Sequence, residues 1–198
     1  MIHRTAICAA LLTASLGGQS PYTSWRLREA PDDLRPAISR ADLVIVAMQS
    51  EVLRELNDAL ARGGTPRSLA FCHVDVENVL RRVSREDGVA AGRTSDRLRN
   101  PINAPRAWAA PLVAAHAGRR ATSIDGYAVD LGDSVGVLRP IVEQPMCGGC
   151  HGTSDRLAPG VTAILKQRYP SDRATGFRDG EIRGWFWVEM PKRARGRF

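Results

Sequence analysis

The feature that most constrains this chain is a group of two cysteines and a histidine, Cys147, Cys150 and His151, with Gly148 and Gly149 between the cysteines. Two thiols three positions apart can each add to one vinyl group of the same porphyrin, and the next residue then presents an imidazole to the iron. With four cysteines and four histidines in 198 residues, this spacing arises by chance in about 0.002 of such chains. The motif therefore predicts one covalent haem c, attached through both cysteines, with His151 as an axial iron ligand.

The sequence leaves two alternatives to haem c open at this motif. A zinc knuckle needs a second pair of ligands, for which the chain offers Cys72, His73 and His116, but adjacent Cys150 and His151 fit one tetrahedral ion poorly. A thioredoxin-like redox pair, or a plain disulfide between the two motif cysteines, makes no use of the histidine, and no βαβ pattern precedes the motif. Haem c accounts for all three residues.

The first 20 residues have the layout of a secretory signal. His3 and Arg4 are followed by an uncharged run from Thr5 to Leu16 and then by Gly17 and Gly18. Such a run is too short to span a bilayer, and a buried N-terminal helix is the alternative. We therefore expect cleavage near residue 20 and a periplasmic mature protein without a transmembrane segment. Export agrees with the motif, because bacteria attach haem c outside the cytoplasm.

The composition is that of an ordinary globular domain. The sequence is 43% apolar and 25% charged, which suffices for one domain with a hydrophobic core. The formal net charge is +7, and removal of Arg4 with the signal leaves +6. This charge suits an acidic protein partner or a membrane surface, although a solvated surface is the more common case. The arginines are scattered without interleaved aromatic residues, which argues against nucleic-acid binding.

Apolar spacing predicts two helices in the N-terminal half. Residues 37–61 carry apolar side chains at helical intervals, and Gly63-Gly64 predicts the stop. A second stripe runs over residues 65–83 and opens with a capping threonine and a proline. Met48 on the first stripe is expected in the core rather than on iron. Cys72 and His73 lie on opposite flanks of the second stripe, so each is a candidate to face a bound group.

Residues 88–105 are rich in glycine, asparagine, proline and arginine and predict a polar loop. Within this loop, Arg93 and Arg99 are candidates to hold haem propionates, because an arginine fork matches a carboxylate. Simple solvent exposure is the alternative for both.

The C-terminal half predicts short helices and a hairpin. A helix is expected over residues 105–117 and another over 159–168. Alternating apolar residues predict strands over 127–131 and 135–142, joined by a turn, and a last strand over 182–190, of which one face should close the core.

Four stretches in this order carry a resemblance to a known family: FCHVDV, GRTSDRLRNPINAP, RPIVEQPMCGGCHG and RYPSDRATGFRDGEIRGWFWV. Together they resemble a bacterial family of single-domain c-type haem proteins with a PAS-like fold, long catalogued as a domain of unknown function. Its members occur as free cytochromes and as sensory modules of signalling proteins. The resemblance runs from about Ala37 to Met190.

The resemblance implies an α+β fold, in which long N-terminal helices pack over a central antiparallel sheet and a covalently bound haem c. It also implies His151 as one axial iron ligand and, at the position matching Cys72, a cysteine thiolate as the other. This sequence departs from the family pattern at His73, whose imidazole is a rival sixth ligand.

The predicted organisation is a signal peptide (1–20), an extended lead-in (21–36), a haem-binding domain (37–191) and a basic disordered tail (192–198). A haem with two protein ligands has no vacant position for substrate. We therefore expect an exported monohaem cytochrome, not an enzyme, that serves in one-electron transfer or redox sensing with a separate redox or signalling partner. A gas sensor is the alternative if the sixth ligand can leave. A haem enzyme, the third option, would need His73 beside an open iron.

Overall fold

The computed structural model describes residues 21–122 and 124–193, with side chains described throughout except at 66, 67 and 70–75. The expected signal peptide and residues 194–198 of the expected tail lie outside the described residues. The elements in chain order are β1 (Ser24–Arg26), α1 (Arg35–Glu86), β2 (Ala90–Thr94), α2 (Ala110–Ala115), β3 (Tyr127–Asp130), β4 (Ser134–Val142), α3 (Gly148–His151), α4 (Val161–Arg168) and β5 (Ile182–Pro191). The α+β class predicted from the sequence is confirmed.

One antiparallel sheet holds all five strands, in the order β1-β3-β4-β5-β2. The two longest strands, β4 and β5, pair at its centre from Ser134 to Val142. The predicted hairpin is strands β3 and β4, and its turn contains Gly132 with a φ of 81°. That left-handed conformation is one that glycine adopts without steric cost.

Helix α1 consists of two helical segments, residues 35–62 and 65–86, separated by a break. Gly63 has a φ of −168° and Gly64 a φ of 61° and a ψ of −157°, all outside the helical range. The break predicted from Gly63-Gly64 is therefore confirmed. In the first turn after the break, Ser68 donates through Oγ to the carbonyl of Thr65 at 2.8 Å. The chain can consequently change direction before the residues that carry Cys72 and His73.

Apolar side chains are buried on both faces of the sheet. On one face, α1 covers the sheet through a cluster that includes Ile38, Met48, Val76, Val137 and Val188. On the other face, Trp108 and Val113 pack on Tyr127, Val129, Leu138 and Trp185. Strand β5 contributes to both clusters, so both of its faces are covered rather than the single face expected. The prediction that Met48 belongs to the core is confirmed, since its exposed fraction is 0%.

Residues 88–105, which the sequence predicts to be a polar loop, contain a strand. Residues Ala90–Thr94 form β2, the edge strand paired with β5. These residues have weak intrinsic preference for strands, so pairing with β5 rather than local propensity accounts for the strand. Gly92 is needed there because a Cβ would lie 2.9 Å from the ring of Trp187, its partner across the strands.

Two further boundaries differ from prediction. Strand β1 lies within the expected lead-in, where Ser24–Arg26 pairs with β3 and extends the sheet. Helix α2 covers only Ala110–Ala115, whereas a helix over residues 105–117 was expected. The sequence has a proline at both 105 and 111, and the helix begins around Pro111, which lies in its first turn.

Candidate functional site

The two cysteines and the histidine lie in a tight turn shortly after β4. A 3-10 turn, Pro145–Cys147, leads directly into the single helical turn α3, Gly148–His151. Cys147 and Cys150 are partly exposed, and neither forms a disulfide within the described chain. Gly152 closes the turn: its N–H donates to the Gly148 carbonyl at 2.9 Å, and a Cβ on Gly152 would come within 2.6 Å of that oxygen.

The imidazole of His151 is held in one tautomer. Its Nδ1 lies 2.7 Å from the carbonyl oxygen of Ala174. Because a carbonyl only accepts, Nδ1 carries the proton and the lone pair is on Nε2. Burial, followed by the charges of Arg183 and Arg99, holds the pKa of His151 well below its usual range. Near neutral pH the ring is therefore uncharged, with Nε2 in the form that binds a metal ion.

Arg183 of β5 approaches this imidazole from the sheet. Its Nη1 lies 3.4 Å from Nε2 of His151, and its Nε lies 3.1 Å from Oε2 of Glu143. The Glu143 side chain is fully buried, with an exposed fraction of 0%. Burial raises the pKa of Glu143, and the positive charges of Arg183 and Arg156 oppose that rise.

Neither Arg183 nor Glu143 was identified as a site residue from the sequence. A signal was present for each of them. Arg183 is a charged residue inside an otherwise apolar and aromatic strand, and Glu143 directly follows the apolar end of β4. Charged residues in such positions are rarely buried without a partner.

A cavity of about 70 Å³ lies against His151. Four arginines line it: Arg93, Arg97, Arg99 and Arg183. The rest of the wall includes Asn103, Ile141 and Gly184. Each of the four arginines is also ion-paired with a carboxylate of the chain. The cavity therefore offers guanidinium N–H donors to an acceptor on a ligand rather than an excess of positive charge.

The two arginines predicted to hold propionates are both in this wall. Arg93 lies 3.4 Å from Oε1 of Glu77. Arg99 pairs with Asp172 at 3.1 Å and also donates to the carbonyls of Cys150 at 2.7 Å and Ala174 at 3.1 Å. Among the described residues, buried Nε of Arg93 and Nη1 of Arg99 have no hydrogen-bond partner. Each arginine thus keeps one donor for a further acceptor.

The second segment of α1 contacts the site at both ends of the stretch that carries Cys72 and His73. Leu69 is fully buried in a cluster that also contacts Cys150. Eight residues later, Glu77 accepts from Nδ2 of Asn103 at 2.9 Å, next to the cavity. Cys72 and His73 lie between these two anchors, but their side chains are outside the described residues.

The other histidine considered as a zinc ligand has different partners. His116 Nδ1 lies 2.8 Å from the carbonyl of Leu112, and its Nε2 lies 2.9 Å from the hydroxyl of Tyr127. No group of three or more His, Cys, Asp or Glu side chains suited to a metal ion occurs within the described residues. In the same part of the chain, no helix combines the length and apolar character needed to cross a bilayer.

The fold and site define an α+β domain with a CxxCH turn beside an arginine-lined cavity. The chain belongs to the Tll0287-like family, which it matches over residues 24–191. The crystal structure of the cyanobacterial haem protein Tll0287 superposes with a TM-score of 0.55 and 22% sequence identity, covering 84% of this chain and 99% of that chain. That likeness establishes a shared fold. No curated protein sequence matches the chain.

Proposed function

We propose that this protein is an exported monohaem c-type cytochrome. Cys147 and Cys150 form the thioether links to the haem, and His151 binds the iron through Nε2. The observation that carries the proposal is the fixed tautomer of His151: its Nδ1 is engaged by Ala174 at 2.7 Å, which leaves Nε2 as the ligand atom one residue after a thiol. The structural relative Tll0287 is a haem protein, which supports the same cofactor here.

The residues around the cavity fit the two propionates of a haem. Arg93 and Arg99 each retain a buried donor without a partner in the described chain, and a carboxylate is the acceptor that an arginine fork matches best. Binding of iron at Nε2 of His151 requires the guanidinium of Arg183, now 3.4 Å from that atom, to turn away. Because Arg183 also lines the cavity, it is a third candidate for a propionate contact.

The sixth iron ligand is proposed to be Cys72, with His73 as the alternative. The helical segment that carries both residues is anchored by Leu69 near Cys150 and by Glu77 near Arg93. This places the segment's backbone beside the cavity. A thiolate ligand stabilises ferric iron and lowers the reduction potential.

The proposed role is one-electron transfer or redox sensing in the periplasm. The haem supplies a reversible change between ferric and ferrous iron. Two protein ligands leave no coordination position for a substrate, so no enzymatic activity is proposed. A separate redox or signalling protein, with an acidic surface that complements the basic chain, completes the function.

Covalent attachment can be tested by maturing the protein with a bacterial haem c assembly system. The intact mass of the purified protein should exceed that of the processed polypeptide by one haem, and the haem should survive acid-acetone extraction. Replacement of both Cys147 and Cys150 by Ser should make the haem extractable, while the exposed neighbour change Met146→Leu should have no effect. Extraction of the haem from the unmodified protein would disprove the proposal.

Carbon monoxide distinguishes electron transfer from gas sensing. With two firmly bound axial ligands, the ferrous spectrum should be unchanged by the gas. A rapid shift to a CO-bound spectrum would favour the sensor alternative.

A further inference from the structure

Three exposed arginines, Arg119, Arg120 and Arg178, lie on two loops that are joined to each other. Backbone hydrogen bonds connect the first loop, residues 117–122, to the second loop, residues 176–181, at 2.9 Å and to Ile182 at the start of β5 at 2.8 Å. These three side chains are called the arginine patch below.

The carboxylates of the second loop are already paired with other arginines. Asp179 accepts from Arg156 at 2.7 Å, and Glu181 lies 3.7 Å from Arg97. In the part of the chain that the structure describes, no side chain of the arginine patch forms an ion pair. The patch therefore presents three positive charges to solvent, none of them in an ion pair within the described chain.

The arginine patch adjoins the residues that contact His151. The N–H of Phe177, directly before Arg178, donates to the His151 carbonyl at 3.0 Å, and the two rings are 6.5 Å apart. Ile182 is bonded to Arg119 and directly precedes Arg183, whose Nη1 lies 3.4 Å from Nε2 of His151. A protein docked on the patch would therefore contact loops that are hydrogen-bonded directly to His151 and to the residue before Arg183.

We propose that the arginine patch is the docking surface for an acidic redox protein. This inference rests on the proposed electron-transfer function and adds to it the location and the charge of the partner. Opposite charges raise the association rate by steering the encounter, by about 10-fold to 1000-fold at low salt. An anionic membrane is the less suitable occupant, because none of the large exposed apolar side chains of the described chain lies in these two loops to anchor it in lipid.

The test is electron transfer between the haem-loaded protein and a reduced acidic flavodoxin. One electron leaves the flavin hydroquinone, and the iron passes from ferric to ferrous. Stopped-flow measurement of the second-order rate against ionic strength should show a steep decrease with salt. The double change Arg119→Glu/Arg178→Glu should lower the low-salt rate by about tenfold or more and flatten the salt dependence.

The matched control is Arg81→Glu/Arg85→Glu, which makes the same charge change at two exposed positions near the end of α1. It should change the rate by less than about twofold. Reduction by dithionite should be equal in all variants, which verifies that their haem is intact.

Three results would count against the proposals in different ways. Equal flavodoxin rates for the wild type and both double variants would overturn the arginine patch while leaving electron transfer standing. A wild-type protein with no reducible haem would overturn the proposed function, and the inference with it. Loss of binding to phosphatidylglycerol vesicles in the patch variant, with unchanged flavodoxin rates, would replace the protein partner by a membrane.

Discussion

The Nδ1 atom of His151 donates to the carbonyl oxygen of Ala174 at 2.7 Å, and Arg99 donates to the same oxygen at 3.1 Å. Arg99 also bonds the carbonyl of Cys150 at 2.7 Å and pairs with Asp172. One guanidinium thus ties the CxxCH turn to the segment that orients its histidine. The orientation of the proposed iron ligand consequently depends on an arginine that lies 52 residues earlier in the chain.

Replacement of Arg99 by Met should destabilise the protein strongly. The side chains of Arg99 and Asp172 are 9% and 8% exposed, and removal of one partner leaves the other charge buried, which costs about 3 kcal/mol. Urea unfolding at neutral pH measures this loss. Arg99→Met/Asp172→Leu should recover part of the stability, because it removes both charges. A double variant no more stable than Arg99→Met would show that the unpaired carboxylate is not the cause of the loss.

Replacement of Arg183 by Met should destabilise the protein in a pH-dependent way. The fully buried carboxylate of Glu143 then loses its nearest positive charge, at a cost of about 3 kcal/mol near pH 7. Burial already raises the pKa of Glu143, so the fold prefers the protonated carboxyl. Stability from that preference is fully present below the unfolded pKa of about 4.3 and is lost as the pH rises through the higher folded value.

The loss of unfolding free energy in Arg183→Met, relative to the wild type, should therefore become smaller as the pH falls from 7 towards about 4. Denaturant unfolding of both proteins across this range measures it. In Glu143→Gln/Arg183→Met the carboxylate is absent, so the part of the pH dependence that comes from Glu143 should disappear, while the part that comes from the effect of Arg183 on the pKa of His151 remains. A loss that stays constant with pH in the single variant would show that Glu143 is not its cause.

The two glycines on either side of Cys150 should respond differently to alanine. A Cβ on Gly152 would lie 2.6 Å from the backbone oxygen of Gly148, whereas a Cβ on Gly149 would meet only the Ala158 Cβ at 3.7 Å. Gly152→Ala should cost about 2 kcal/mol in unfolding free energy and reduce haem incorporation, because the turn must open. Gly149→Ala should change stability by less than about 0.5 kcal/mol. Equal losses for both variants would refute the steric argument.

Local sequence signals were sufficient for several elements. The hairpin of β3 and β4 and the break at Gly63-Gly64 each depend on neighbouring residues, and both were predicted correctly. The strand Ala90–Thr94 could not be predicted in this way, because it exists through pairing with β5, almost a hundred residues later.

The site was predictable only in part for the same reason. Cys147, Cys150 and His151 lie within five consecutive residues, so one sequence motif contains all three. Arg183 and Glu143 come together only when β4 and β5 pair, and sequence spacing carries no record of that contact. Arg93 and Arg99 were proposed because an arginine fork matches a carboxylate, and both line the cavity.

The last prediction concerns the sixth iron ligand. Cys72 and His73 are adjacent on the second segment of α1, so a rotation of about 100° along the helix separates their directions. With Cys72 as the ligand, Cys72→Ala should remove the low-spin thiolate signal from the ferric absorption and electron paramagnetic resonance spectra. His73→Ala should leave that signal in place. Cys147 and Cys150 are unchanged in both variants, so covalent haem content serves as the internal control. If His73→Ala instead converts the iron to high spin and Cys72→Ala has no effect, the imidazole is the ligand and the thiolate assignment is wrong.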